Sequence, residues 1–424
     1  MLREDVRRDR LPQVSWIAAP EAFSEHGNWP ANYGAWYISQ VLDALTSRPE
    51  VWSKTALFVT YDENDGFFDH LVPPTPPRSP AEGRSTVDAS NEIFPGRPGD
   101  PRGPYGLGIR VPMIVVSPWS KGGWVCSQVF DHTSLIRFLE RRFAPRHHGL
   151  IETNITAWRR AVCGDLTSAF DFEHPDRARV ALPDTDAYEP PDHERHPDYV
   201  PIPPIDQALP EQERGLRHAR ALPYELRVNG TADLANRRFG IDFASTGEAG
   251  ACFHVRSGHS AEGPWTYTVE AGKSLSASWD VAASDHGRYD LSVYGPNGFL
   301  RMFRGTASPA APADLDVDCS YDLEDGEVAL IFTNRGPVTR VSAKNLYDNL
   351  AVSRVLRPGE RFRARWSVKS SFGWYDLVVE TSADPDFLRR LAGHLEDGKD
   401  SASDPAIGGF GRRTRARTDA MAEE

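Results

Sequence analysis

Cysteine is scarce in this chain of 424 residues: Cys126, Cys163, Cys252 and Cys319 are the full set, and none belongs to a CxxC pair. So few and so scattered, they exclude a disulfide scaffold and leave the redox compartment open. Long apolar runs are missing too. None approaches the roughly 18 to 20 residues that span a bilayer, and MLREDVRRDR carries no apolar stretch behind its charges, so the reading predicts neither a membrane span nor an export signal here. Positive charge is in deficit, with 48 Lys and Arg against 60 Asp and Glu and a net charge of −12, which repels a phosphate backbone and excludes nucleic acid as a partner. What is present points to folded domains. Hydrophobic residues make up 40% of the chain, enough for real cores, and the length suits two or three domains. Thirty-four Gly and thirty-four Pro favour turns and long loops, hence α/β and all-β classes over a helical bundle.

Residues 1 to about 173 read as alternating strands and helices. QVSWIA (13–18), ALFVTY (56–61) and the apolar run at 113–117 have the look of strands buried on both faces of a parallel sheet. Ile38, Val41, Leu42 and Leu45 fall at helical spacing before Pro49 closes their segment. Leu135, Ile136, Phe138, Leu139 and Phe143 mark a second helix face, with Asp131 and Ser134 placed to cap it. Strand, helix and strand in that order predict a right-handed α/β layer. From Pro73 to about Tyr105 the chain is rich in Pro, Gly and Ser, which predicts a flap lying over a site.

A stretch dense in Pro, Asp and Arg, residues 174–222, reads as a linker. Beyond it, alternation replaces helical spacing, as in WTYTVEAG and RYDLSVYG. The β region repeats itself: Gly272, Trp279, Tyr289, Phe299 and Arg301 return as Gly359, Trp366, Tyr375, Phe387 and Arg389 at offsets of 86 to 88 residues. That period fits a whole small β-sandwich, so two tandem sandwiches are expected at 223–308 and 313–396, before a frayed polar tail at 397–424.

The densest polar cluster follows directly on the second apolar run, from Tyr61, Asp62 and Glu63 through Phe67, Phe68, Asp69 and His70. Neighbouring carboxylates at a strand-to-loop turn can share one hard cation, and they can equally form a capped, solvated acidic turn.

LPQVSWIAAPEAFSEHGNWP, VWSKTALFVTYDENDGFFDH, GLGIRVPMIVVSPWSKGGWV and SQVFDHTSLIRFLERRF together resemble the C-terminal part of the catalytic domain of bacterial phosphocholine-specific phospholipases C, in the alkaline-phosphatase-like superfamily. The β repeats resemble the paired C-terminal domains of the same enzymes. The resemblance implies a partial α/β phosphoesterase domain followed by two β-sandwiches, and cleavage of phosphatidylcholine or sphingomyelin to phosphocholine plus diacylglycerol or ceramide. It also implies a divalent metal ion held by Asp62 and Glu63, and His26 in the phosphate pocket as an imidazolium or a general acid. His132 is a further catalytic candidate, although its neighbour Asp131 reads equally as a helix cap. Asp69 and His70 would support the metal ligands. A choline head group calls for aromatic faces, for which Trp29, Tyr33, Phe67 and Phe68 are the candidates. The family's nucleophile and upstream metal ligands have no counterpart here, so the resemblance implies an incomplete fragment with little activity of its own, secreted or periplasmic in origin, with a peripheral membrane surface as a partner. The competing readings are a phosphomonoesterase of the same superfamily and a non-catalytic lipid- or sugar-binding remnant.

Overall fold

A computed structural model describes residues 1–63, 72–147, 149–178, 181–200, 202–208, 211, 213–258, 262–282 and 284–409. In chain order its regular elements are α1 (Leu2–Arg7), α2 (Ala31–Thr46), α3 (Pro49–Trp52), β1 (Leu57–Thr60), β2 (Gly83–Ser85), β3 (Ile93–Phe94), β4 (Gly103–Pro104), β5 (Met113–Val116), α4 (His132–Phe143) and α5 (Ala157–Val162). Strands follow: β6 (His218–Ala219), β7 (Leu226–Asp233), β8 (Arg238–Ser245), β9 (Ala251–Ser257), β10 (Trp265–Val269), β11 (Lys273–Asp280), β12 (Arg288–Tyr294), β13 (Leu300–Thr306), β14 (Leu315–Asp322), β15 (Glu327–Asn334), β16 (Thr339–Asn345), β17 (Ala351–Leu356), β18 (Arg361–Ser367), β19 (Trp374–Thr381), β20 (Asp384–His394) and β21 (Ser401–Ala402). A mixed region of helices and short strands thus precedes a β-rich one. By contacts the chain divides into two units, one of residues 1–69, 109–123 and 170–211, the other of the remainder.

In the first unit, α2 follows its N-cap Pro30 and ends at Thr46, and Pro49 then opens α3, where the proline's fixed φ and missing N–H suit a first helical turn. Val6, Leu45 and Val51 pack a small core to which Val41, Trp52 and Leu57 add. β1 pairs with β5 antiparallel, Leu57 opposite Val116, which corrects the parallel arrangement expected from the sequence. An apolar run suits either ladder, and direction is set by the connection, which here carries β2 to β4 and, among the described residues, no crossover α-helix. The pair is not buried on both faces either, since Ile114 is 55% exposed. QVSWIA forms no strand: it joins no ladder among the described residues, and Trp16 stands 72% exposed. Residues 174–211, expected as a linker, belong instead to this unit. Tyr199 packs on Trp29 and Tyr33, the Thr185 hydroxyl lies 2.6 Å from that of Ser39 on α2, and Arg195 pairs with Glu21.

The second unit holds a nine-stranded sheet in the order β17-β16-β19-β20-β13-β12-β9-β10-β2, with three-stranded sheets β11-β8-β7 and β14-β15-β18. One core joins Phe239, Ile241 and Phe243 of β8 to Phe253, Val255, Leu291 and Val293 of the large sheet. A second joins Val328, Leu330 and Phe332 of β15 to Val341, Leu377 and Val379. Each repeat has its own core, yet the two share one sheet through β13 and β20. In that ladder Met302 faces Arg390, its counterpart 88 residues on, so a pseudo-twofold axis passes between them. Across the axis the repeats exchange arginines. Fully buried Arg301 donates to the hydroxyls of Tyr321 (2.6 Å) and Tyr375 (3.0 Å), and Arg389 donates to the Tyr289 hydroxyl (2.7 Å). Each also lies over a phenyl ring, Phe299 or Phe387, at 4.2 Å, and the ring face and hydroxyls together receive a guanidinium that, among the described residues, no carboxylate bonds.

The stretch read as a flap is strapped into this unit. β2 adds a parallel edge strand to β10, Gly83 opposite Thr266, and the Thr86 amide donates to the Thr268 carbonyl at 3.0 Å. Gly83 is required there: its φ is +140°, and a β-carbon would fall 1.8 Å from the Thr266 carbonyl oxygen. Glu92, 2% exposed, anchors the strap's middle. Loop composition records what a segment cannot build alone, not what it docks upon. The tail behaves likewise up to residue 409: β21 pairs with β6, and the Trp374 indole donates to the Ala402 carbonyl.

Candidate active site

β1 delivers Tyr61, Asp62 and Glu63 at its C-terminal end. The Tyr61 hydroxyl donates to the Glu25 carboxylate at 2.7 Å, so one bond ties this strand end to the turn that bears His26. Glu25 holds a left-handed backbone, φ 61°, which aims its side chain at α2. There Gly34 leaves the space: a β-carbon on it would lie 2.3 Å from Glu25 Cγ. Burial, and next the hydrogen bond and charge of Glu25, push the Tyr61 phenol up to about 12, which keeps it a neutral donor.

His26 follows directly and is exposed; its amide donates to Ser24 Oγ at 3.2 Å and its carbonyl accepts from the Trp29 amide at 2.7 Å. Asp62 and Glu63 are likewise exposed. Among the described residues no group of three or more His, Cys, Asp or Glu side chains assembles into a cation site. Trp29 and Tyr33 sit in an aromatic cluster with Ala22 and Phe23, and the Tyr33 hydroxyl donates to that of Tyr199 at 3.2 Å, so their rings are engaged in packing. Phe67, Phe68, Asp69 and His70 lie outside the described residues.

The remaining candidates belong to the second unit. Asp131 caps α4 in a reciprocal box: its carboxylate accepts from the Ser134 amide at 3.2 Å, and the Ser134 hydroxyl accepts from the Asp131 amide at 3.1 Å. Its other oxygen takes Arg159 at 2.6 Å, and Arg159 also holds Glu92 at 2.8 and 3.1 Å. Asp131 therefore serves the fold, while His132 begins the helix exposed. Glu25 and Gly34 escaped the sequence reading. Nothing local signals a glutamate whose partner is 36 residues away, although a glycine on the N-terminal half of a helix is a cue to close approach.

Comparison with known proteins gives a consistent placement. Residues 1–144 match the phosphoesterase family, and 218–306 and 315–394 each match the C-terminal domain of bacterial phospholipase C. The chain is 57% identical over 412 residues to a non-hemolytic phospholipase C of Burkholderia pseudomallei, with 96% of this chain and 58% of that protein aligned. It is 48% identical to a non-hemolytic phospholipase C of Pseudomonas aeruginosa (96% and 60%) and 40% identical to a hemolytic phospholipase C of the same organism (96% and 59%). The chain thus spans about three-fifths of the length of these relatives. Its leading segment is thus similar to the phosphoesterase family, and each of its two β repeats to the C-terminal domain of bacterial phospholipase C.

Proposed function

We propose that the protein works as a phospholipase C, cleaving phosphatidylcholine or sphingomyelin to phosphocholine plus diacylglycerol or ceramide. The observation that carries this reading is the union in one chain of a phosphoesterase segment and two phospholipase C C-terminal domains, at 57% identity to a named phospholipase C. In this reading residues 1–173 form part of an alkaline-phosphatase-like domain, the repeats at 223–308 and 313–396 are sandwiches sharing a sheet, and the setting is secreted or periplasmic.

Asp62 and Glu63 would supply two oxygen ligands to a divalent cation, as their exposed position after β1 and hard donor chemistry suit. Such an ion, when bound, neutralises charge on a phosphoryl oxygen. His26, on the turn steadied by the Glu25 to Tyr61 bond, would steady the same charge as an imidazolium or give a proton to the leaving oxygen. Asp69 and His70 would orient the carboxylates. With Trp29 and Tyr33 packed on Tyr199, the choline ammonium would fall to Phe67 and Phe68. No residue is assigned as the nucleophile.

The test pairs calorimetric titration of divalent cations with product analysis on phosphatidylcholine. Asp62→Ala with Glu63→Ala should weaken cation binding at least tenfold. Undiminished binding refutes the ligand assignment, and release of phosphate in place of phosphocholine favours a phosphomonoesterase.

A further inference from the structure

β18 alternates strictly. Ala364 and Trp366 are buried toward the second core, while Arg361, Arg363 and Arg365 are exposed on the outer face. The strand closes one edge of its three-stranded sheet, so the three guanidiniums stand in a row along a free margin, about 7 Å apart for alternate residues of a strand.

The internal repeat shows that the fold does not need them. β11 is the counterpart of β18, with Trp279 matching Trp366, and ladder registers carry the match residue by residue: Ser274, Ser276 and Ser278 pair with Ala244, Asp242 and Gly240 as Arg361, Arg363 and Arg365 pair with Thr333, Ile331 and Ala329. One copy of the same architecture puts serine at all three exposed positions; the other puts arginine. Nor do local acids account for the row. Among the described residues only Arg365 of the three has an ion pair, with Glu327 at 3.4 Å between partly exposed side chains, a contact of little energy, while Asp316 and Asp318 share the outer face two strands away and Asp316 pairs with Arg335. Arg354 on the adjoining edge strand β17 adds a fourth cation at the rim, its guanidinium 4.8 Å from the Phe362 centroid. This cluster forms on a chain whose net charge is −12.

An apolar element flanks the row. The turn between β16 and β17, in the nine-stranded sheet, exposes Leu346 (44%) and Leu350 (61%), and the inward Trp366 indole donates to the Leu350 carbonyl at 3.3 Å, which brings the leucines to the edge that β18 forms while the arginines stand on its outer face. Cations beside exposed leucines suit a bilayer interface, where head groups meet the first and acyl chains the second. A nucleic acid would use the cations and leave the leucines without a role.

We propose that the β18 margin, Arg361, Arg363 and Arg365 with Leu346 and Leu350, is a docking surface for an anionic lipid bilayer. This deepens the phospholipase reading by naming the face that meets the membrane, and it rests on that reading only for its purpose, since its readout is binding. The overall negative charge does not oppose docking at physiological salt: screening over about 8 Å mutes the distant carboxylates while the row lies against the surface.

The experiment is co-sedimentation of the full chain with vesicles of phosphatidylcholine alone and of phosphatidylcholine with phosphatidylglycerol, over a range of salt. Binding is expected to the anionic vesicles and to fall with salt. The triple substitution Arg361→Ser, Arg363→Ser, Arg365→Ser, which copies the first repeat, should lower partitioning about a hundredfold at unchanged circular dichroism, from about 1 kcal/mol for each cation near the surface. The corresponding triple Lys variant should keep most of the binding, and Leu350→Ser should weaken it. Equal binding to neutral vesicles, undiminished binding by the Ser variant, loss in the Lys variant, or competition by short duplex DNA at equal affinity would each overturn the proposal. Phosphocholine release from a soluble short-chain ester, measured alongside, separates it from the catalytic reading: failure of hydrolysis with vesicle binding intact leaves the docking surface standing.

Discussion

Replacing Glu92 with Gln should unfasten the strap of residues 72–108 from the second unit. The Glu92 carboxylate is buried and accepts from Arg159 Nε and Nη2 at 2.8 and 3.1 Å and from the Thr156 hydroxyl at 2.6 Å, while Arg159 goes on to Asp131 and to the Gly106 carbonyl at 2.9 Å. One side chain therefore holds the strap to the start of α5 and, through Arg159, to the cap of α4. Gln keeps one acceptor but turns an amide N–H2 toward a guanidinium N–H and leaves Arg159 with half its counter-charge. Breaking one partner of a buried pair costs about 3–5 kcal/mol. If that cost falls on local opening of the strap, the amides of Thr86 and Tyr105, which bond the Thr268 and Glu92 carbonyls, should exchange roughly 150- to 5,000-fold faster by the usual conversion of free energy to ratio. Hydrogen exchange read by mass spectrometry measures this directly. Arg97→Ala, which removes an exposed pair with Asp100 in the same strap, is the control and should change little. Wild-type protection of Thr86 and Tyr105 in the Glu92→Gln protein would refute the reasoning.

Other consequences concern titration. Glu25→Gln should bring the Tyr61 phenol down from about 12 in an ultraviolet titration yet leave it above the ordinary value near 10, because burial is the larger cause and persists; Gly34→Ala, which displaces the same carboxylate, should do likewise, and no change in either would dissolve the link between β1 and the His26 turn. His254 is pushed down to about 4 by burial, with the Arg256 charge adding to it, so the folded protein should lose stability as the pH falls from about 6.5 toward 4, by up to about 3 kcal/mol, and His254→Gln should flatten that limb in denaturant titrations. His394 is buried, which opposes its charge, but the hydrogen bond and charge of Glu396 prevail and raise it. Its contribution is therefore complete below the unfolded value near 6.5 and fades as the pH climbs through the raised folded value, a decline that Glu396→Gln should abolish.

What the sequence determined by itself is what a strand or helix writes locally. Alternation of residue type belongs to one strand, so RYDLSVY and WTYTV were legible as β12 and β10, although burial alternates only in β12 of the two, and the 86–88 residue period announced paired β repeats before any contact was known. The Asp131 and Ser134 cap of α4 was equally local, and so was the position of Asp62 and Glu63 at a strand end. Tertiary structure decided whatever depends on a distant partner. A run such as ALFVTY does not record whether its neighbour runs parallel or antiparallel, and the structure chose antiparallel. Pro- and Gly-rich composition marked 73–105 as unable to form its own core, but only β10, more than 180 residues away, made part of it an edge strand. Tyr61 meets Glu25, and Arg301 meets Tyr375, across separations that leave no periodic trace, because a single long-range hydrogen bond constrains two positions and no spacing between them.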